Sequence, residues 1–202
     1  MNTNETDSLI LITTTPSPKL FMLLLGCRPK GRLTEQHDIF FAIGHSLSEI
    51  VPAINNFWPE VKGNIHIDAW REVTRVDEFQ IEVIPRREKA PTTGAKLFFL
   101  NLGGYKEHEF EEYHYKVLSV AHNLDEAKAK ARETAFYQHT GFKGAVSHID
   151  DRYGIDTDDV HEVTDILPAS SKEQYELIIT AEATGAKDIL HLGYLPLFKI
   201  PK

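Results

Sequence analysis

Thiol chemistry is nearly absent from this chain, because Cys27 is its only cysteine among 202 residues. A single thiol excludes an intrachain disulfide and a thiolate metal cage, and it fits a reducing compartment. Positive charge is also scarce: 22 Lys and Arg stand against 30 Asp and Glu, for a formal net charge of −8. Duplex binding needs clustered cations, so no nucleic-acid partner is expected. Long apolar runs are missing as well. Phe21–Leu25 falls far short of the roughly 20 residues that span a bilayer. Met1–Pro18 holds no Lys or Arg and only the short apolar stretch Leu9–Ile12, so it lacks the charged and apolar regions of a signal peptide. A cytoplasmic protein without membrane contact is the expectation.

What the chain does have is an ordinary globular composition, 42% hydrophobic and 26% charged, and an internal repeat. Glu35-Gln36-His37, followed by His45-Ser46-Leu47-Ser48-Glu49, returns 77 residues later as Glu112-Tyr113-His114, followed by His122-Asn123-Leu124-Asp125-Glu126. Ahead of each copy lies an almost unbroken apolar run closed by glycine. Lys19–Gly26 and Lys96–Gly103 share six of eight positions, and both read as strands buried on two faces.

The repeat divides the chain into a tail (1–18), a first unit (19–85), a linker (86–95), a second unit (96–180) and a C-terminal arm (181–202). Within each unit a second strand, 37–44 or 114–121, runs into a helix through a capping box, Ser46 with Glu49 and Asn123 with Glu126. Helix one is expected over Leu47–Phe57, kinked or shortened by Pro52, and helix two over Leu124–Gln138. Third strands follow at 64–68 and 145–150, an acidic insertion at 151–159, and fourth strands at 79–84 and 175–180. The expected fold is therefore α+β: a duplicated β-β-α-β-β unit, each half a small sheet covered by one main helix. The arm, apolar and interrupted by Pro196 and Pro201, reads as an extended segment packed on the other half or on another subunit.

Of the ten histidines, six fall at matched positions: His37 and His114, His45 and His122, His66 and His148. Acids accompany them, Glu35 and Glu112 two residues before the first His, Asp68 and Asp150 two after the third. Residues two apart on a strand face one side, so each Glu-x-His and His-x-Asp can present an imidazole with a carboxylate. That is the chemistry of a hydrogen-bonded base or of an N/O metal site. These ten residues form the candidate metal set; a fold-determining role competes with it, since His45 and His122 stand directly before a helix cap, where side chains often only pack. Whether strands two and three bring the set together is left open by parity.

Other signals are thinner. Asp151 and Asp156–Asp159 lack the ordered spacing and closing Glu of a calcium loop. Gly26–Gly31, with Arg28 and Lys30, can attract an anion but is not a Walker A pattern. Cys27, between a strand and Arg28, is either a thiol of lowered pKa or a plain turn residue.

On Gly26, Glu35-x-His37-Asp38, the helix leading to Trp58, and His66-Ile-Asp68-Ala69, the chain resembles the uncharacterised bacterial family domain of unknown function 1543. The resemblance covers most of 19–84 and, more loosely, 96–180, where Tyr115 replaces the Asp after the first His and no Trp follows the helix. It implies a two-copy member and no activity. The functional expectation is a binding or assembly protein without catalysis, with a homo-oligomer through a strand edge or the arm and a small-molecule ligand both open. The alternative is a metal- or acid/base-dependent enzyme acting on a small polar molecule through the repeated Glu, His and Asp. The cofactor is not specified by the sequence.

Overall fold

The computed structural model describes residues 16–61, 63–86, 94–105, 108–132 and 160–201. The apolar run Lys19–Cys27 forms β1, which pairs antiparallel with β2 (Gln36–Gly44) on one side and β3 (His66–Glu72) on the other. Leu20 and Met22 pack on one face of β1, and Phe21, Leu23 and Leu25 on the other, as expected of a strand with no solvent side. The latter face is covered by α1 (Leu47–Phe57) through Ile50 and Ile54, both buried. Each such side chain contributes about 1.5–3 kcal/mol of burial.

The helix begins where its capping residues place it. Glu49 N–H donates to Ser46 Oγ at 3.4 Å, and Glu49 Oε2 accepts from His45 N–H at 2.6 Å. The glutamate thus reaches past the cap to the amide before it. Pro52 neither shortens nor breaks α1; it lies on the exposed side of the helix, away from the packed face.

In the second half β6 (Lys96–Tyr105) pairs with β7 (Glu112–Ala121), and α2 (Leu124–Arg132) follows. The registers match position for position: Gly26 opposes His37, and Gly103 opposes His114. A short β8 (Val160–Glu162) joins the free side of β6, so that Lys96 and Glu162 form a 2.7 Å ion pair, as Lys19 and Glu72 do in the first half. Two short helices, α3 (Val163–Ile166) and α4 (Ala169–Gln174), lead into β9 (Tyr175–Ala181).

The fourth strands depart from the expected plan. β5 (Phe79–Pro85) does not add to the sheet of its own half; it pairs antiparallel with β9 along its whole length, and the two-residue β4 (Arg75–Val76) flanks it. Ile81, Val83 and Ile179 from this third sheet close a core with Leu20, Met22, Phe41 and Ile43 of the first sheet and Leu97, Phe99, Leu118 and Val120 of the second. Burying those faces together is what favours the shared sheet over two separate ones.

The arm crosses to the first half. β10 (His191–Pro196) pairs with β3 and completes the order β10-β3-β1-β2. Asp188 pins its start: Oδ1 accepts from Thr74 Oγ1 (2.6 Å), Thr74 N–H (3.1 Å) and Arg75 N–H (3.2 Å). The His191 ring lies flat on Trp70, centroids 3.9 Å apart. The expected strand at 145–150, residues 133–138 of helix two, the acidic stretch 151–159 and linker residues 87–93 lie outside the described residues.

Candidate functional site: a buried histidine between two carboxylates

Strands two and three are not neighbours, because β1 runs between them. The step that parity could not supply comes instead from Gly26, which opposes His37 on one side and His66 on the other. Directly opposed residues share a face, so the three form a row across the sheet with no side chain in the middle. Two strand spacings separate the outer residues, about 10 Å between backbones, and the His66 imidazole reaches inward over the glycine.

Asp68 enters the same space through a bulge. Leu24 opposes Ala69 and Leu25 opposes Ile67, which leaves Asp68 as an extra residue on β3, and Gly193 and Tyr194 of the arm both stand against it. A bulge re-aims a side chain, and here the Asp68 carboxylate comes to lie over Gly26 beside the His66 ring. Glu35, just ahead of β2, completes the group.

Four contacts define the cluster. His66 Nε2 lies 3.1 Å from Glu35 Oε1 and 3.3 Å from Asp68 Oδ1; His37 Nε2 lies 3.3 Å from Asp68 Oδ2 and 3.8 Å from Glu35 Oε2. The His66 side chain is only 7% exposed, whereas His37 and Glu35 reach solvent. Despite these short separations, neither His66 Nε2 nor Asp68 Oδ2, both buried, makes a hydrogen bond. Tyr194 of the arm packs on the His66 ring, centroids 4.4 Å apart.

Two clefts reach the cluster. One, about 540 Å³, lies between the halves, with Glu35, His37 and Asp38 on one wall and Asn101, His114, Lys116 and His161 on the other. The second, about 590 Å³, is lined by Glu35 and His66 with Arg28, Asn55, Asn64, Tyr194 and Phe198. A third cleft of about 440 Å³, around Lys96, Glu162 and Lys172, is remote from the cluster, and its Lys96 and Glu162 are already paired with each other.

The remaining candidates separate from this group. His45 and His122 are engaged at the helix starts, their Nδ1 atoms 2.9 and 3.0 Å from Glu49 and Glu126. Eight residues of strand, roughly 26 Å at 3.3 Å each, separate them from His37 and His114. His114 Nδ1 sits 3.0 Å from Asn101 Nδ2. Glu112 lies in β7, and its side chain, like His148 and Asp150, lies outside the described residues. Among the described residues no group of three or more His, Cys, Asp and Glu side chains is placed to hold a metal ion as it stands, the cluster of Glu35, His37, His66 and Asp68 included.

Cys27 is fully buried, and its thiol pKa is raised, first by desolvation and then by Glu35 and Glu60, which removes the reactive-thiol reading. Arg28 donates to the Leu33 carbonyl and so closes its own loop. In sequence Gly26 stands only as the close of an apolar run, and Tyr194 carries no signal of its own. The signal for Gly26 was present, since a glycine on a central strand marks close approach by neighbouring groups; Tyr194 becomes relevant only through the docking of the arm.

Residues 32–83, which contain all four cluster residues, match the family described as Domain of Unknown Function (DUF1543). No curated protein matches the chain. Among solved structures, the crystal structure of protein Il1583 from Idiomarina loihiensis is similar, with 23% identity, a TM-score of 0.58, and coverage of 89% of this chain and 98% of that one. At this identity the likeness is one of fold.

Proposed function

We propose that this DUF1543 segment is a binding site for a divalent transition-metal ion, held by Glu35, His37, His66 and Asp68, and that the protein uses the ion to bind a small polar molecule entering from the clefts. One observation carries the reading: His66 Nε2 is buried 3.1–3.3 Å from two carboxylates and hydrogen-bonds to neither. A lone pair facing carboxylate oxygens at that range is repelled, and a ring proton there would be expected to form a bond. A cation among the four donors satisfies all of them.

The spacing supports this. With ligand bonds of about 2.0–2.1 Å, donors at neighbouring corners of a tetrahedron stand roughly 3.3 Å apart. Each imidazole faces its own oxygen of each carboxylate: His66 Nε2 stands 3.1 and 3.3 Å from Glu35 Oε1 and Asp68 Oδ1, and His37 Nε2 stands 3.3 and 3.8 Å from Asp68 Oδ2 and Glu35 Oε2, so three of the four approaches are of that order. Loading therefore requires one oxygen of each carboxylate to turn toward both imidazoles, a rearrangement in which the solvent-exposed Glu35 and His37 side chains have rotamer freedom. Two imidazoles and two carboxylates suit zinc, manganese or iron. Such an ion supplies Lewis-acid polarisation of a bound oxygen. A purely structural role as hydrogen-bonded pairs is less well served, since the buried atoms form no such bonds.

The matched registers and the matched Lys–Glu pairs support reading the two halves as copies of one unit, and the single buried thiol fits work in the cytoplasm.

Metal analysis of untagged, freshly purified protein, followed by Zn²⁺ titration, tests the proposal. Wild type binds at least one ion per chain, His66→Ala and Asp68→Ala lose it, and His45→Ala retains it. Protein that neither carries a metal nor takes up Zn²⁺ ends the proposal.

A further inference from the structure

We propose that the C-terminal arm, residues 188–200, is a homodimer contact in which two copies of the arm pack side chain to side chain about a two-fold axis. Large apolar side chains left in water concentrate there: of nine among the described residues, Ile189, Leu190, Leu192, Tyr194 and Phe198 all belong to this one segment, each 62–84% exposed. Scattered single exposures need no explanation, but a contiguous stretch of this kind marks an interface.

The exposure does not come from a loose tail. Asp188 is bonded to Thr74 and Arg75, His191 is stacked on Trp70, β10 is paired with β3, and Ile200 is buried in the core beneath α1. The apolar surface is therefore held in place before any partner arrives, which lowers the entropic cost of binding. β10 is also the edge of its sheet, with one side unpaired among the described residues.

Charge and area both favour a second copy of this chain. The protein carries a formal net charge of −8, yet Ile189–Pro201 contains no acidic residue and only Lys199 as a Lys or Arg. The arm is thus where two such chains approach with least carboxylate repulsion. Leu190 and Leu192 border the cleft beside Met22 and Trp70, and Tyr194 and Phe198 the cleft beside Asn55 and His66, so the contact spans both sides of the edge strand, and its several hundred Å² approach the ~800 Å² per partner of a stable interface only when both sides are covered. The bulge at Gly193–Tyr194 and Pro196 both blunt an extended backbone ladder, so the contact rests on side chains. Around a two-fold each arm meets its own counterpart and needs no separate complementary surface.

Pairing of the arms also bears on the cleft that contains Glu35 and His66, because Tyr194 and Phe198 form part of its wall. A partner arm there narrows an open cleft.

Sedimentation equilibrium on the full chain tests the proposal independently of any metal. Wild type is expected near twice the 22.9 kDa chain mass, and Leu192→Glu and Phe198→Glu each shift it to monomer with unchanged circular dichroism. Leu33→Glu, at an exposed apolar position in the β1–β2 loop, remains dimeric. A monomeric wild type overturns the proposal, as does a dimer that survives both arm substitutions. If one arm variant fails to fold, the other gives the answer.

Discussion

A methyl group on Gly26 would stand 2.4 Å from His66 Nε2 and 2.4 Å from Asp68 Oδ2. Since the methyl meets the ring of His66, which is buried and packed under Tyr194, Gly26→Ala is expected to cost about 1–3 kcal/mol. It should also displace the donors. Zn²⁺ affinity of the folded variant falls at least tenfold, measured below its lowered denaturation midpoint; equal affinity in the two proteins would show that the donors do not act over this glycine.

The helix caps differ in quality. Asn123 Oδ1 accepts from Glu126 N–H at 2.9 Å, and Ser46 Oγ from Glu49 N–H at 3.4 Å. Alanine at either position is expected to cost about 1 kcal/mol, with Asn123→Ala the more damaging. Urea denaturation of the two variants measures this, and two neutral substitutions would contradict the assigned helix starts.

Acid should weaken the same corner. The Glu126 carboxyl is held down to about 2 from an ordinary 4.5, chiefly by the His122 backbone N–H, with Lys130 and the His122 ring adding to it. A carboxyl depressed in the folded state stabilises above its unfolded pKa, and that contribution is lost as pH falls through the folded value. Glu49, lowered mainly by the His45 amide, acts in the same direction. The stability gap between wild type and Glu126→Gln is therefore present at pH 6, narrows below about pH 4.5, and closes near pH 2. A gap unchanged across that range in chemical denaturation would remove the linkage.

Asp188 carries more than its place in a loop suggests. Its side chain is 2% exposed, Oδ1 takes three hydrogen bonds, and Oδ2 lies 3.9 Å from Arg71 Nη1. Desolvation lowers the Arg71 pKa more than the aspartate raises it, so this guanidinium is already under-compensated. Asp188→Ala leaves it worse off and frees the arm; a loss on the order of 3 kcal/mol is expected. The variant should also expose His191 to faster hydrogen–deuterium exchange, and unchanged exchange on the arm would show that Asp188 is not its anchor.

Local features were legible in the sequence. The apolar runs gave β1 and β6, and Ser46 and Asn123 gave the helix starts, because each depends on neighbours a few residues away. The pairing of imidazole with carboxylate was half legible: parity placed Glu35 with His37 and His66 with Asp68, but nothing local says that β1 lies between the two strands or that a bulge swings Asp68 over Gly26. His45 and His122 looked equal to the other histidines because matched spacing records shared packing as readily as shared chemistry. The β5–β9 pairing and the docking of β10 on β3 are choices between distant segments, made by the burial of faces that no single stretch displays.

The pairing of β5 with β9 has a consequence for chain length. A polypeptide ending after residue 85 would keep β1, β2, β3 and α1 yet leave Val83 and Ile81 without the strand that flanks them and without the second sheet that packs over Leu20 and Met22. Its cheapest remedy is another molecule like itself, each lending its last strand to the other. Such a shortened chain is thus expected to self-associate through its last strand, and the link through residues 86–95 supplies within one molecule an association that it would reach only by concentration.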